Sequence, residues 1–239
     1  CRLNLKERNS MNRLSMQLGR WSAFLIAGDF ILYTVCFVAI LMSPPAFVWT
    51  TLTDYVAYTT THSSFFKDAA MYLMLIFGPL FVVLLSALHD YARDEQKILT
   101  RISLGFGLAF AMLIGINYFV QLSTVRQSVL HGHLTGLEQV VQANPMSAMT
   151  GLNMLGWSLF LGLASLFAAP IFSGGRLEKT IKWALVINGL CCLLGGLSYI
   201  YELSLFVFLF ITFGMGGAVT VATIAIGILF RRLARSQAA

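Results

Sequence analysis

Residues 101–126 read R‑ISLGFGLAFAMLIGINYFVQLSTV‑R, a stretch of 24 uncharged residues between Arg101 and Arg126. Wound as a helix at 1.5 Å per residue, it is about 36 Å long, enough to cross the roughly 30 Å of hydrocarbon in a bilayer. It carries Asn117 and Gln121 one turn apart, two amides that lipid does not favour. The remaining apolar runs can be counted outward from this one.

Composition agrees with a membrane solvent. The 239 residues are 58% hydrophobic and 11% charged, and the mean hydropathy is +0.78. A soluble domain carries about 25% charge, so the chain reads as an all-α integral membrane protein. Nineteen Phe and ten Met suit lipid contact and soft helix packing. Cys36, Cys191 and Cys192 lie inside apolar runs, and no Cys-x-x-Cys or flanking His turns the adjacent pair into a metal site.

Taken in order, residues 1–20 form a basic segment with Arg2, Lys6, Arg8, Arg13 and Arg20, suited to the surface of an anionic leaflet. Six spans follow, at about 21–42, 69–88, 102–125, 147–171, 181–200 and 203–230, and a basic tail, 231–239, ends the chain. Pro79, near the middle of the second span, predicts a kink, because it removes a backbone hydrogen bond. Residues 44–68 are rich in Thr and aromatic side chains, with Trp49, Tyr55 and Tyr58 suited to an interface but too many threonines for a firm helix. Leu134, Leu137, Val140 and Val141 have helical spacing and predict a short amphipathic helix ending near Asn144-Pro145.

Orientation follows from counting charges. Fourteen of the sixteen Lys and Arg fall on one side of the alternating spans, and only Lys67 and Arg126 fall on the other. The positive-inside rule then puts both termini in the cytoplasm. Dropping one span scrambles this bias, so the count of six and the orientation support each other. A six-helix bundle of the plasma membrane is the expected architecture. Basic charge confined to one rim argues against a nucleic-acid partner.

Motifs for ordinary catalysis are missing. No histidine lies in the middle of a span, which argues against a haem held between helices by two histidines. There is no HExxH, Gly-x-Ser-x-Gly or phosphate-cradling loop. His89, Asp90, Asp94 and Glu95 look like metal-ligand material, as do His131 and His133, but the topology sets the two groups a bilayer apart. No cofactor is indicated. The stretches 115–126 (GINYFVQLSTVR), 144–148 (NPMSA) and 152–172 (LNMLGWSLFLGLASLFAAPIF) are similar in general pattern to bacterial six-span membrane proteins, and that resemblance carries no functional residue with it.

The better lead is the polar set within the spans. Asp29 and Tyr33 share one face of the first span, Asn117 and Gln121 one face of the third. Asn153 begins the fourth, Asn188 lies in the fifth, and Glu202 closes the fifth at its outer end. If the first and third spans face each other, these side chains line a polar cavity, with Arg126 and Glu202 as its outer caps. An intramembrane carboxylate such as Asp29 is costly unless it faces the bundle or pairs with a base, Arg20 or Lys182 being the candidates. Asn and Gln also serve as interhelical hydrogen-bond glue.

The expectation is a small transporter or permease-like protein that binds a small polar or amphipathic solute inside the bundle. Its partners are the bilayer with its anionic inner leaflet, the small-molecule ligand, and a second copy or another protein. The alternatives are a subunit or sensor without turnover that docks a partner protein, and, third, a lipid-modifying enzyme using His89-Asp90 or His131 and His133. Two halves of three spans would be inverted relative to each other, but no residue-level echo links them.

Overall fold

Six helices long and apolar enough to cross a membrane make up the bulk of the protein. The computed structural model describes residues 12–43 and 47–238. The long helices are α1 (Arg13–Met42), α3 (Phe65–Tyr91), α4 (Asp94–His131), α5 (Ala148–Ile171), α6 (Arg176–Ile200) and α7 (Ser204–Gln237). A short helix, α2 (Leu52–Thr61), joins α1 to α3. There is no strand among the described residues. Many large apolar side chains face outward, among them Leu32, Met112, Phe119 and Ile200, as lipid-facing surfaces require.

Each long helix packs on its neighbours in sequence, and α7 returns to pack on α1. Where α1, α3, α4 and α5 meet, aromatic rings fill the centre. Phe77 lies parallel to Trp157 at 5.6 Å, Phe110 meets Trp157 edge-on at 5.0 Å, and Phe30 meets Phe77 edge-on at 5.1 Å. Such offset and edge-on pairs add about 0.5–1.5 kcal/mol each beyond their buried area. Elsewhere small residues bring backbones together. A Cβ on Gly189 of α6 would come within 2.9 Å of the Gly162 carbonyl of α5, the close approach that glycine permits between membrane helices.

Five of the six long helices run past their apolar segments, α3 and α4 at both ends and α1, α6 and α7 at the basic end, the end where the basic residues gather. α1 starts at Arg13 because Asn12 caps it, its side chain accepting from Leu14 N–H at 3.0 Å. Of the N-terminal basic segment, Arg2, Lys6 and Arg8 lie outside the described residues. At the basic end the Ser15 hydroxyl donates to Asp90 and ties α1 to α3. Tyr91 stacks on Phe172 at 5.7 Å, and Glu178 accepts from Ser173 N–H and Gly174 N–H to close the turn between α5 and α6.

α3 runs as one helix with Pro79 inside it. Two local expectations are corrected. Residues 52–61 are helical despite their threonines: the Thr51 hydroxyl accepts from Asp54 N–H, and Asp54 in turn accepts from the hydroxyls of Thr50 and Thr51 at 2.7 Å each. This cap, with Thr59, Thr60 and Thr61 bonded back to carbonyls in the preceding turn, outweighs their weak helix propensity. Residues 134–141 do not form an amphipathic helix. They hold one 3₁₀ turn, Leu137–Gln139, entered through Gly136 at φ 72°. The apolar spacing is satisfied differently: Leu137 and Val141 are buried against Tyr55 and Val125.

Candidate functional site

Opposite the basic end, the chain between α4 and α5 folds into the mouth of the bundle. Val141 is fully buried there. Gln121 reaches this segment from α4, with Nε2 donating to the Val140 carbonyl at 2.7 Å and Oε1 accepting from Gln142 N–H at 3.0 Å. One turn deeper, Asn117 Nδ2 donates to Gln142 Oε1 at 3.0 Å. From α5, the Thr150 hydroxyl is placed against the carbonyls of Gln142 and Asn144, at 2.9 Å each. From α6, the Tyr199 hydroxyl donates to the Pro145 carbonyl at 2.8 Å. Three helices thus hold the segment by its main chain.

Beneath it lies a knot of polar groups. The Tyr118 hydroxyl sits amid the polar ends of Trp157, Asn153 and Gln142, with Tyr33 close enough to interact with it electrostatically. Asn117 is fully buried and Asn153 is 6% exposed, yet the side-chain oxygen of each has no hydrogen-bond partner. A buried acceptor left without a donor costs about 1–3 kcal/mol. Such groups are uncommon in folded proteins and call for an occupant or a role.

The backbone changes form at the same place. α4 is π-helical over Gln121–Val125, and α5 is π-helical over Gly156–Phe160. Gln121 opens the first segment and Trp157 lies within the second. π-bulges cost hydrogen-bond geometry and are frequent at functional sites. Here the two flank the polar knot.

Of the residues singled out in the sequence, Asn117, Gln121 and Asn153 come together around Gln142, and Tyr33 is within electrostatic range of Tyr118. Asp29 lies one turn, about 6 Å, towards the basic end from Tyr33 along α1. It is 7% exposed, and its Oδ2 has no hydrogen-bond partner. The described ion pairs are Arg93–Glu95 and Lys97–Asp94, so neither Arg20 nor Lys182 neutralises Asp29. Arg20 lies over the Trp21 ring instead, 4.9 Å from its centroid.

The other three lie elsewhere. Asn188 is fully buried between α6 and α5, donating to the Ser165 hydroxyl at 2.6 Å, which is interhelical glue. Arg126 is exposed on α4. Glu202 is exposed at the turn between α6 and α7 with φ 57°, in the left-handed region. Neither reaches the polar knot as a cap.

Tyr118, Gln142, Thr150 and Trp157 were not singled out by sequence. Tyr118 and Trp157 read as ordinary span aromatics, and Gln142 lies in a loop where no periodicity marks it. His89, read as metal-ligand material, pairs its Nδ1 with the Thr100 hydroxyl at 2.7 Å. Among the described residues no group of three His, Cys, Asp or Glu is placed to hold a metal ion. Compared with protein families, curated proteins and solved structures, the chain matches none of them.

Proposed function

We propose that this chain is a multi-pass protein of the plasma membrane, with both termini in the cytoplasm, and that it binds a small polar solute in the knot formed by Asn117, Tyr118, Gln142 and Asn153 as part of its passage across the bilayer. The orientation is supported by the fourteen of sixteen basic residues on one side. The observation that carries the binding reading is the pair of buried, donorless amide oxygens, Asn117 Oδ1 and Asn153 Oδ1. Both are acceptors, so the solute they suit offers hydrogen-bond donors: an amine, an amino acid or a polyol. The aromatic rings below provide an apolar floor, and the 137–144 segment is the gate on the outer side. Asp29, further in, is the next polar station on the path and the group able to carry a proton with the solute.

A second reading has its own support. Asn117 and Gln121 use their amides to fix the 137–144 segment, as a sensor or subunit without turnover would need to present a rigid outer surface. Thermal unfolding of the protein in lipid nanodiscs, scanned against amines, amino acids and polyols, separates the two. Binding at the knot predicts that one of these classes raises the unfolding temperature of the parent, and that Asn153→Leu abolishes the shift while the variant remains folded. If no class stabilises the parent, or if the shift survives in Asn153→Leu, the solute reading fails and the sensor reading stands.

A further inference from the structure

A groove of about 630 Å³ runs between α6 and α7 near the basic end, away from the polar knot. Its α6 wall is Lys179, Trp183 and Ile187, and its α7 wall is Phe213, Gly217 and Val221. Lys179 lies in the first turn of α6, and Ile187 is eight residues further on, so the groove is about 12 Å long and parallel to the helices. Two features of α7 open it. The helix is π-helical over Phe208–Met215, and Gly217 leaves its floor bare: a Cβ added there would meet nothing within 4 Å.

The ends of the groove differ in chemistry. Towards the middle of the bundle it is apolar, with Phe213 and Ile187 turned outward. At the basic end Lys179 is exposed and takes part in none of the described ion pairs. Arg176 and Lys182, three residues to either side of it, add to the same rim. Trp183 is 61% exposed beside Lys179, where an amphipathic ring suits the headgroup level.

We propose that this groove is a binding site for an anionic phospholipid, its phosphate on Lys179 and one acyl chain along the channel over Gly217. The charge of the rim matches an anionic leaflet. A transmembrane helix, about 10 Å across with its side chains, would need a longer face than these two turns. The proposal does not depend on the solute site, and symmetric nanodiscs present the lipid to the groove in either orientation.

The test is fluorescence quenching of the full chain in phosphatidylcholine nanodiscs doped with either brominated phosphatidylglycerol or brominated phosphatidylcholine. The Trp183 signal is obtained as the difference between the parent and Trp183→Phe. The site predicts several-fold stronger quenching of Trp183 by the brominated anionic lipid than by the zwitterionic one. Lys179→Gln should remove that preference, and Gly217→Leu should fill the floor and weaken quenching by both lipids. Equal quenching by the two lipids in the parent would overturn the proposal and make Trp183 a residue of ordinary boundary lipid. Absence of quenching by either would overturn it too, leaving a second copy or a partner protein as the occupant.

Discussion

Gln121 and Gln142 are joined through the main chain: Gln121 Oε1 accepts from Gln142 N–H at 3.0 Å, while Gln121 Nε2 donates to the neighbouring Val140 carbonyl at 2.7 Å. One side chain on α4 therefore supplies both partners that a strand or helix would otherwise give this stretch. It explains how an irregular segment can be buried in the mouth of a bundle without leaving its backbone unsatisfied.

Replacing Gln121 with Leu keeps the volume and removes both bonds. Val140 O and Gln142 N–H are then left without partners, at a cost of about 2 kcal/mol. Hydrogen exchange should rise at residues 140–144 and stay unchanged in α6. Protection that is unaltered across 140–144 would show that the apolar contacts of Val141 hold the segment alone.

Close approach of α5 and α6 gives a paired prediction. Gly189→Ala puts a methyl 2.5 Å from Leu166 Cγ and 2.9 Å from the Gly162 carbonyl, and backbone cannot move aside as a flexible side chain can. A loss of about 1–3 kcal/mol is expected. Gly115→Ala, where nothing lies within 4 Å, should be neutral or stabilise by up to about 1 kcal/mol through helix propensity. Thermal unfolding in one detergent compares the two directly.

The cap of α2 predicts a pH dependence. Hydroxyl hydrogen bonds from Thr50 and Thr51 hold the Asp54 carboxyl below the usual carboxylate range. A lowered folded value means that the cap's contribution is fully present above the unfolded value, about 3.9, and is lost as pH falls through the folded value. Carbon-13 NMR of the Asp54 carboxyl should give a midpoint below 3.9, and the double change Thr50→Val with Thr51→Val should move it up. A midpoint unmoved by that change would remove the hydroxyls as its cause.

Asp29→Asn removes a buried ionisable group that has an unpartnered oxygen and no described ion pair. Stability should be unchanged or rise by about 1 kcal/mol, since a carboxylate there contributes nothing that an amide cannot. Uptake into proteoliposomes, if driven by a proton gradient, should lose that dependence. A strongly destabilised variant would mean that Asp29 is a structural anchor.

The six helices were legible because each apolar run is long enough to cross the hydrocarbon of a bilayer and is bounded by charge, as between Arg101 and Arg126, or by Pro and Gly, as at Ser43-Pro44 and Ser173-Gly174. Half of the polar knot was legible too: Asn117 and Asn153 stand out against apolar neighbours, as does Gln121 beside them. What sequence could not supply was the partner across space. Gln142 joins the knot only because residues 137–144 fold inward, and that fold rests on side chain to backbone bonds from another helix, which leave no periodic trace. The same holds for α2, where the Thr51–Asp54 cap decided against propensity. Arg126 and Glu202 looked like caps by depth alone, but depth does not fix the direction a side chain takes around its helix.

The proposed solute site rests on the buried, donorless oxygens of Asn117 and Asn153. A structure determined in lipid nanodiscs, in the presence of the class of solute that stabilises the protein most, tests it most directly. Non-protein density is expected within hydrogen-bonding distance of Asn117 Oδ1 and Asn153 Oδ1, beneath the 137–144 segment. Both oxygens hydrogen-bonded to protein donors in a dry contact, with no density between them, would contradict it.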